Sequence, residues 1–509
     1  MSITPLLRLS GITKNFGVLK ANDDISLTLA EGEMLALLGE NGAGKTTLMS
    51  ILFGHYVADA GTVEVQGKSL PPGSPRAALE AGVGMVHQHF TLASNMTVLE
   101  NIMLGTESLW GFRRGSARAL AKLGWLMDRF RLHVNPHAMV RGLSVGERQR
   151  VEILKVLYRD ARILILDEPT AVLTPQESDH LFATLRGLVA QGLSVIFITH
   201  KLREVMAASD RCVVLRHGRV VLETSTRQTC AEELAKAMVG ASIPQTTRSK
   251  LTPGDEVLFL DRVHASAPDR GPDLTELCLS VRAHEILGIA GVSGNGQALL
   301  ADLLSGLVAP TEGSVVLRGQ PVNRPTPAAM IRAGVGRVPD DRTGTGLVAD
   351  MTVMENLSTE IYRLPGFSRR GMLNFKALSS RAAQLMDVFD IRCSGKDAPV
   401  RKLSGGNMQK LILARVLSQG PHLILANQPT WGLDVGATAA VHQHLLDAAR
   451  RGAGVILISE DLDELFQITD RIQVMYQGHL STPENTATVD RAKLGLMMSG
   501  QTFDKRGAA

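Results

Sequence analysis

Three short runs of uninterrupted apolar residues stand out along the chain. Met34 to Leu38 is wholly apolar and stops at Gly39, Ile163 to Leu166 stops at Asp167, and Val195 to Ile198 stops just before His200. Runs of this length without polar alternation predict strands buried on both faces, as in a parallel sheet. In open α/β sheets ligands gather at the carboxyl ends of the strands, so Gly39, Asp167 and His200 are expected along one edge. After Leu143 the period changes. Val151, Leu154, Leu157 and Tyr158 fall on one helical stripe, which reads as core packing.

The pattern is written twice. GEMLALLGENGAGKTTL (32–48) is echoed by HEILGIAGVSGNGQALL (284–300), and MTVLENI from Met96 by MTVMENL from Met351. LSVGERQR from Leu143 is echoed by LSGGNMQK from Leu403, and LILDEPT from Leu164 by LILANQPT, where Ile424 is the matching residue. Lys45 to Gln297 is an offset of 252, and Ser144 to Ser404 and His200 to Glu460 are offsets of 260. Solenoid repeats have periods of roughly 20–50 residues, so this is a duplicated domain. The seam lies in 241–255, a stretch rich in Pro, Ser, Thr and Gly. The expected organisation is a first domain over 1–243, a linker over 244–255 and a second domain over 256–509.

Composition narrows the class further. A chain of 509 residues calls for more than one domain, and 44% hydrophobic with 20% charged residues excludes a largely disordered one. Lys plus Arg is 54 against 50 Asp plus Glu, too even a balance to imply nucleic acid as a partner. Cys212, Cys230, Cys278 and Cys393 lie far apart with no CxxC pair, which argues against a disulfide framework or a zinc site and for a reducing compartment. No apolar run approaches the roughly 18–20 residues of a membrane-spanning helix. The opening MSITPLLRLSG lacks the features of a signal peptide. A soluble or peripheral, cytosolic protein is expected.

The chemistry is concentrated in the first half. GENGAGKT, Gly39 to Thr46, fits the phosphate-binding loop G-x-x-x-x-G-K-[ST]. Its glycines let the backbone N–H groups of Glu40, Asn41, Gly42, Ala43 and Gly44 turn inward around phosphate oxygens, and the following helix, opening through Thr47, points its positive end at them. Lys45 would reach the outer phosphates of ATP and Thr46 would ligate Mg2+. An acid at a buried strand end is costly unless it meets a cation, so Asp167 would hold the magnesium, directly or through water, and Glu168 would accept the proton of the attacking water. His200 would donate to the terminal phosphate. Gln88, in VHQHF, would complete the magnesium shell and sense the γ-phosphate, and Phe16 would stack on adenine. The flanking His87 and His89 are not read as a metal site.

The order of phosphate loop, Gln88, LSVGE, LILDEPT and His200 resembles the ATP-binding subunit of an ABC transporter. LSGGN (403–407) and WGLD (431–434) resemble that family's signature and D-loop. The resemblance implies two tandem P-loop ABC ATPase domains, α/β in class, each with a mainly parallel sheet core, a small antiparallel part and a helical subdomain. A fused pair without membrane helices is similar to the ATPase of bacterial monosaccharide and nucleoside importers. VHQHF, ANQPTWGLDVGA and SEDLDE look most like the nucleoside branch, while Trp431 stands where that branch has Arg. The resemblance further implies head-to-tail pairing of the two domains within the chain. Ser404, Gly405, Gly406 and Asn407 would then contact ATP held by the opposite phosphate loop. Its partners would be membrane permease subunits, docked on a helical subdomain between Gln88 and Leu143 that includes Arg113 and Arg114. An external solute-binding protein would act through the permease. The place of work would be the cytoplasmic face of the bacterial inner membrane, as a peripheral protein.

By the same resemblance the second half has lost its chemistry. Gln297 and Ala298 replace the lysine and the hydroxyl, Asp340 the Q-loop glutamine, Asn427 and Gln428 the acids, and Glu460 the histidine. Its signature is nearly intact, whereas the first carries Val145 for a Gly and Glu147 for a Gln. Head-to-tail pairing sorts every defect into one composite site and every competent part into the other. Two further classes compete with the importer reading. A soluble tandem factor acting on ribosomes or DNA is disfavoured by the short linker, the decayed half and the absent cysteine cluster. A non-catalytic ATP-binding scaffold is separated by turnover. Among import substrates, a pentose or related sugar stands second to nucleosides.

Overall fold

The computed structural model describes residues 5–17, 19–40, 42–87, 91–106, 116–170, 173, 175–240, 251–267, 270–322, 325–501 and 503. The chain divides into two compact units, Met1–Ile243 and Pro244–Ala509. Most of the expected linker, like Arg113 and Arg114, lies outside the described residues. From Leu251 to Gly254 the chain is irregular, and the first strand of the second unit begins at Glu256.

Each unit is built from the apolar runs read in the sequence. In the first, six strands lie in the order Arg219–Ser225, Arg211–Arg216, Met34–Gly39, Ser194–Ile198, Ile163–Asp167 and Val83–Val86. All neighbours are parallel except the first pair. In the second, Val335–Val338, Leu423–Asn427, Gly454–Ser459, Ile286–Ala290 and Arg471–Tyr476 form the equivalent parallel run. Met34–Gly39, Ile163–Asp167 and Ser194–Ile198 are buried at every position, because both faces of the sheet are covered.

One cover is a small antiparallel sheet, Leu19–Leu29, Leu7–Phe16, Ala60–Val65 and Lys68–Ser69. Its Leu7, Leu9, Ile12, Ile25 and Leu27 join Leu35, Leu37, Ile163, Ile165, Ile196 and Ile198 in one core. The second unit repeats this with Leu258, Leu260, Leu277 and Leu279 against Leu287, Ile289, Leu423 and Ile456. The opposite face of its sheet, Ile286, Ile424 and Val455, packs on helices. Alternation along each strand therefore feeds two cores at once.

A helical part completes each unit: Val98–Met103, Ser116–Phe130 and Val145–Leu157 in the first, Val353–Ser358, Phe375–Val388 and Gly405–Leu417 in the second. The repeated MTV-x-EN motif belongs here and is architectural. Thr97 and Glu100 form a capping box, as do Thr352 and Glu355. The Asn that follows, Asn101 or Asn356, bonds the backbone of Ala93 or Val348 and pins the incoming loop. No helix among the described residues is long and apolar enough to cross a membrane.

Candidate active site

The loop after Met34–Gly39 is shaped by what its glycines exclude. A Cβ at Gly39 would lie 2.4 Å from the Leu215 carbonyl oxygen, and one at Gly44 2.2 Å from that of Ala21. Gly44 has φ 99° and caps the helix Lys45–Phe53. Buried Asn22 donates from Nδ2 to the Gly44 carbonyl at 3.1 Å, and Ala43 N donates to Glu40 O at 3.0 Å. Lys45 is buried, and its ammonium donates to the carbonyls of Gly39 at 2.7 Å and Glu40 at 2.9 Å. Thr46 is exposed and Thr47 half-buried on the first helical turn, and Gly42 is exposed. The loop thus joins a helix N-terminus to a desolvated cation, which is an anion site. Asn41 lies outside the described residues.

Strand register brings the acids to the same edge. Asp167 pairs with Ile198, which pairs with Leu37 two residues before the loop. Burial pushes the Asp167 carboxyl up to about 6, the Glu168 charge adds to the rise, and Lys45 opposes it. A carboxylate that is costly to ionise where it stands fits a divalent cation ligand. Glu168 follows with φ 44°, its N–H donating to Ile198 O at 3.0 Å. Its Oε1 accepts from His200 Nδ1 at 3.1 Å, and this bond holds the carboxyl below its ordinary pKa against the opposing effect of burial. Glu168 is therefore ionised at neutral pH, as a proton acceptor must be.

The structure places Phe16 at the end of its strand, 43% exposed and edge-on to Tyr56 with 5.5 Å between ring centres. Gln88 lies outside the described residues, two positions beyond the end of Val83–Val86. Sequence reasoning passed over Asn22, which carries no motif signal beyond a polar residue inside a strand. It also missed buried Glu204, which accepts from Thr199 Oγ1 at 2.8 Å and from Thr170 Oγ1. That knot ties the segment after Glu168 to the strand end before His200. Glu464 repeats it, bonding Ser459 at 2.5 Å, Thr430 at 2.8 Å and His442 Nε2 at 2.9 Å.

The raised Asp167 pKa carries a stability consequence. Folding favours the protonated acid, so its contribution is fully present below the unfolded pKa near 3.8 and is lost as pH rises through about 6. At pH 8 the ionised group costs up to about 3 kcal/mol in the nucleotide-free protein. Asp167→Asn should therefore raise the melting temperature of the first unit at pH 8 and leave it unchanged below pH 4. Calorimetry at both pH values checks this, and an equal shift at both would contradict it.

In the second unit the same loop is closed by its own side chains. Gln297 donates from Nε2 to Val292 O at 3.0 Å, and its Oε1 takes the Asn295 backbone N–H at 3.1 Å. Asn295 also donates to Val292 O from Nδ2 at 3.0 Å and accepts the Gln477 N–H at 3.0 Å. One backbone donor that could meet a phosphate is spent, and Gln297 stands where the first loop has an ammonium. The left-handed backbone of Glu168 nevertheless recurs, with Gln428 at φ 46° and its N–H on Ile458 O at 2.9 Å.

The signature helices differ in one hydroxyl. Ser144 caps Val145–Leu157 and donates its Oγ–H to Glu147 Oε2 at 2.8 Å, while its N–H reaches the same oxygen at 2.8 Å. Those bonds lower the Glu147 pKa, with the Ser144 hydroxyl first among the causes. The helix end therefore carries an anion. Ser404, which caps Gly405–Leu417, instead accepts from Asn407 Nδ2 at 2.9 Å, leaving its own O–H to donate. Asn407 is held in turn by the Arg392 N–H at 2.8 Å.

Two parallel-sheet units, each with a glycine-shaped loop at the carboxyl edge and a serine-capped signature helix, define a tandem pair of ATP-binding cassettes. The chain belongs to the ABC transporter family, whose model matches residues 22–171 and 274–431. It is 42% identical to the nucleoside import ATP-binding protein NupA of Lactococcus lactis subsp. cremoris, covering 99% of this chain and 100% of that one. It is 43% identical to the glucose import ATP-binding protein TsgD13 of Haloferax volcanii, covering 98% and 96%. Against the guanosine import ATP-binding protein NupO of Bacillus subtilis it is 41% identical, covering 99% of each.

Proposed function

We propose that this chain is the ATP-hydrolysing subunit of an importer that carries nucleosides through a partner permease. One observation carries the mechanism: the competent groups and the defects sort into opposite places. Lys45, Asp167, Glu168 and His200 stand in the first unit, while the signature serine with a hydroxyl to donate, Ser404, stands in the second. Head-to-tail pairing makes one working site from them. Lys45 and the N–H groups of 39–47 bind the phosphates, and Phe16 stacks on the base. Asp167, Thr46 and Gln88 would hold Mg2+, which neutralises phosphate charge when bound. Glu168 takes a proton from the attacking water, and His200 positions Glu168 and meets the γ-phosphate. Ser404, Gly405, Gly406 and Asn407 close the site.

Permease subunits bind the helical part, and an external solute-binding protein delivers the solute. The chain works at the cytoplasmic face of the plasma membrane. Similarity to nucleoside and guanosine import proteins supports the nucleoside reading. The 43% identity with a glucose import protein supports a simple sugar as the second reading. Uptake of labelled nucleosides, pentoses and hexoses in a strain lacking this chain separates them. Loss of nucleoside uptake alone is expected, and loss of sugar uptake alone overturns it. Ser404→Arg should abolish ATP hydrolysis by placing bulk at the signature, and wild-type turnover there would sink the pairing.

A further inference from the structure

A cation stands beside the second signature helix, on a residue that neither the motifs nor the pairing argument uses. In VPDDRTGTG (338–346), Arg342 opens a single π-turn, Arg342–Gly346, a distortion frequent at functional sites. Asp341 caps that turn, its Oδ1 accepting from Thr343 N at 3.0 Å and Gly344 N at 2.8 Å. The Arg342 guanidinium reaches away in three directions. Nε donates to Gln409 Oε1 at 3.0 Å, within the signature helix, and Nη2 donates to the carbonyl of Trp431, in the D-loop. Nη1 lies 3.1 Å from where a Cβ on Gly405 would stand.

We propose that Arg342 is a positioning residue for ATP hydrolysis: it clamps the signature helix to the D-loop and brings a positive charge to the helix end that meets the γ-phosphate.

Three observations carry this. The fork bonds two segments far apart in sequence, so each fixes the other's position at the Ser404 cap. The charge has no carboxylate partner among the described residues, and burial is the one influence on its pKa, which it lowers. A desolvated cation at the positive end of a helix is unfavourable until an anion arrives. Beside it, Gln409 is 1% exposed and its Nε2 has no hydrogen-bond partner among the described residues. Finally, the first half differs at both matching positions. Phe90 stands in register with Arg342 and Val145 with Gly405. The arginine and the glycine that makes room for it occur together in the half whose signature serine keeps its hydroxyl.

The inference rests on the proposed pairing, and the test separates the two. Steady-state ATP hydrolysis by the full chain is measured for Arg342→Lys, Gln409→Glu and Ser404→Arg, with active sites counted by a pre-steady-state burst. Arg342→Lys keeps the charge and loses the fork. Gln409→Glu keeps an acceptor for Nε and neutralises the guanidinium. Both should lose roughly tenfold or more in kcat per active site, as misplacement does, with KM for ATP within about twofold of wild type because the Lys45 pocket is untouched. A loss confined to the burst amplitude would mean misfolding and would overturn the proposal. So would wild-type kcat in either variant while Ser404→Arg is inactive. Wild-type kcat in Ser404→Arg would instead overturn the pairing itself.

Discussion

In Glu168→Gln, steady-state ATP hydrolysis should fall by about 10²–10⁴-fold, the usual worth of a general base, while ATP affinity stays within a few-fold of wild type. The local backbone supports so selective a result. Glu168 sits at φ 44°, which would strain many replacements, yet the second unit holds a glutamine in the same place at φ 46°. The introduced amide can also keep a hydrogen bond with His200, so the edge geometry should survive. What is lost is the negative charge that His200 holds in the ionised form. A pre-steady-state measurement separates binding from turnover, and normal turnover would remove Glu168 from the role of base. The matching control is Gln428→Ala, which should keep most activity because no proton transfer is assigned to that side chain.

The second large effect concerns stoichiometry. Equilibrium binding of a non-hydrolysable ATP analogue with Mg2+ should saturate at one nucleotide per chain, and Lys45→Ala should lose it. Side chains of the second loop compete with a nucleotide for its polar groups. Gln297 Oε1 already takes the Asn295 N–H, its Nε2 holds Val292 O, and Asn295 is tied to Gln477. A triphosphate would have to break these bonds without a lysine to repay the desolvation of its charge. Ala298 offers no hydroxyl, and Asn427, 4% exposed at the strand end, offers no charge to a cation. Two bound nucleotides per wild-type chain would sink this expectation.

Much of this protein is legible in its sequence. Both-face burial demands unbroken apolar runs, so Met34–Gly39, Ile163–Asp167 and Ser194–Ile198 announced a covered parallel sheet. A phosphate loop needs glycine where Cβ atoms would strike backbone carbonyls, and those glycines stand at 39 and 44. Duplication was visible because motif order survives divergence, and the replaced residues could be read position by position. Such features depend on residue type and spacing along the chain.

Contacts across the sheet and between loops were decided only by tertiary structure. Nothing in the spacing shows that His200 Nδ1 holds Glu168, that Asn22 braces Gly44, or that Glu204 and Glu464 knot equivalent corners. Arg342 reads as an ordinary charge in a polar turn until the fold carries it to Gln409 and Trp431, 67 and 89 residues away. A sequence prescribes which groups a chain owns. Which of them are left with an unanswered charge is settled by long-range packing, because hydrogen bonds and Coulomb attraction act through space and are blind to distance along the chain.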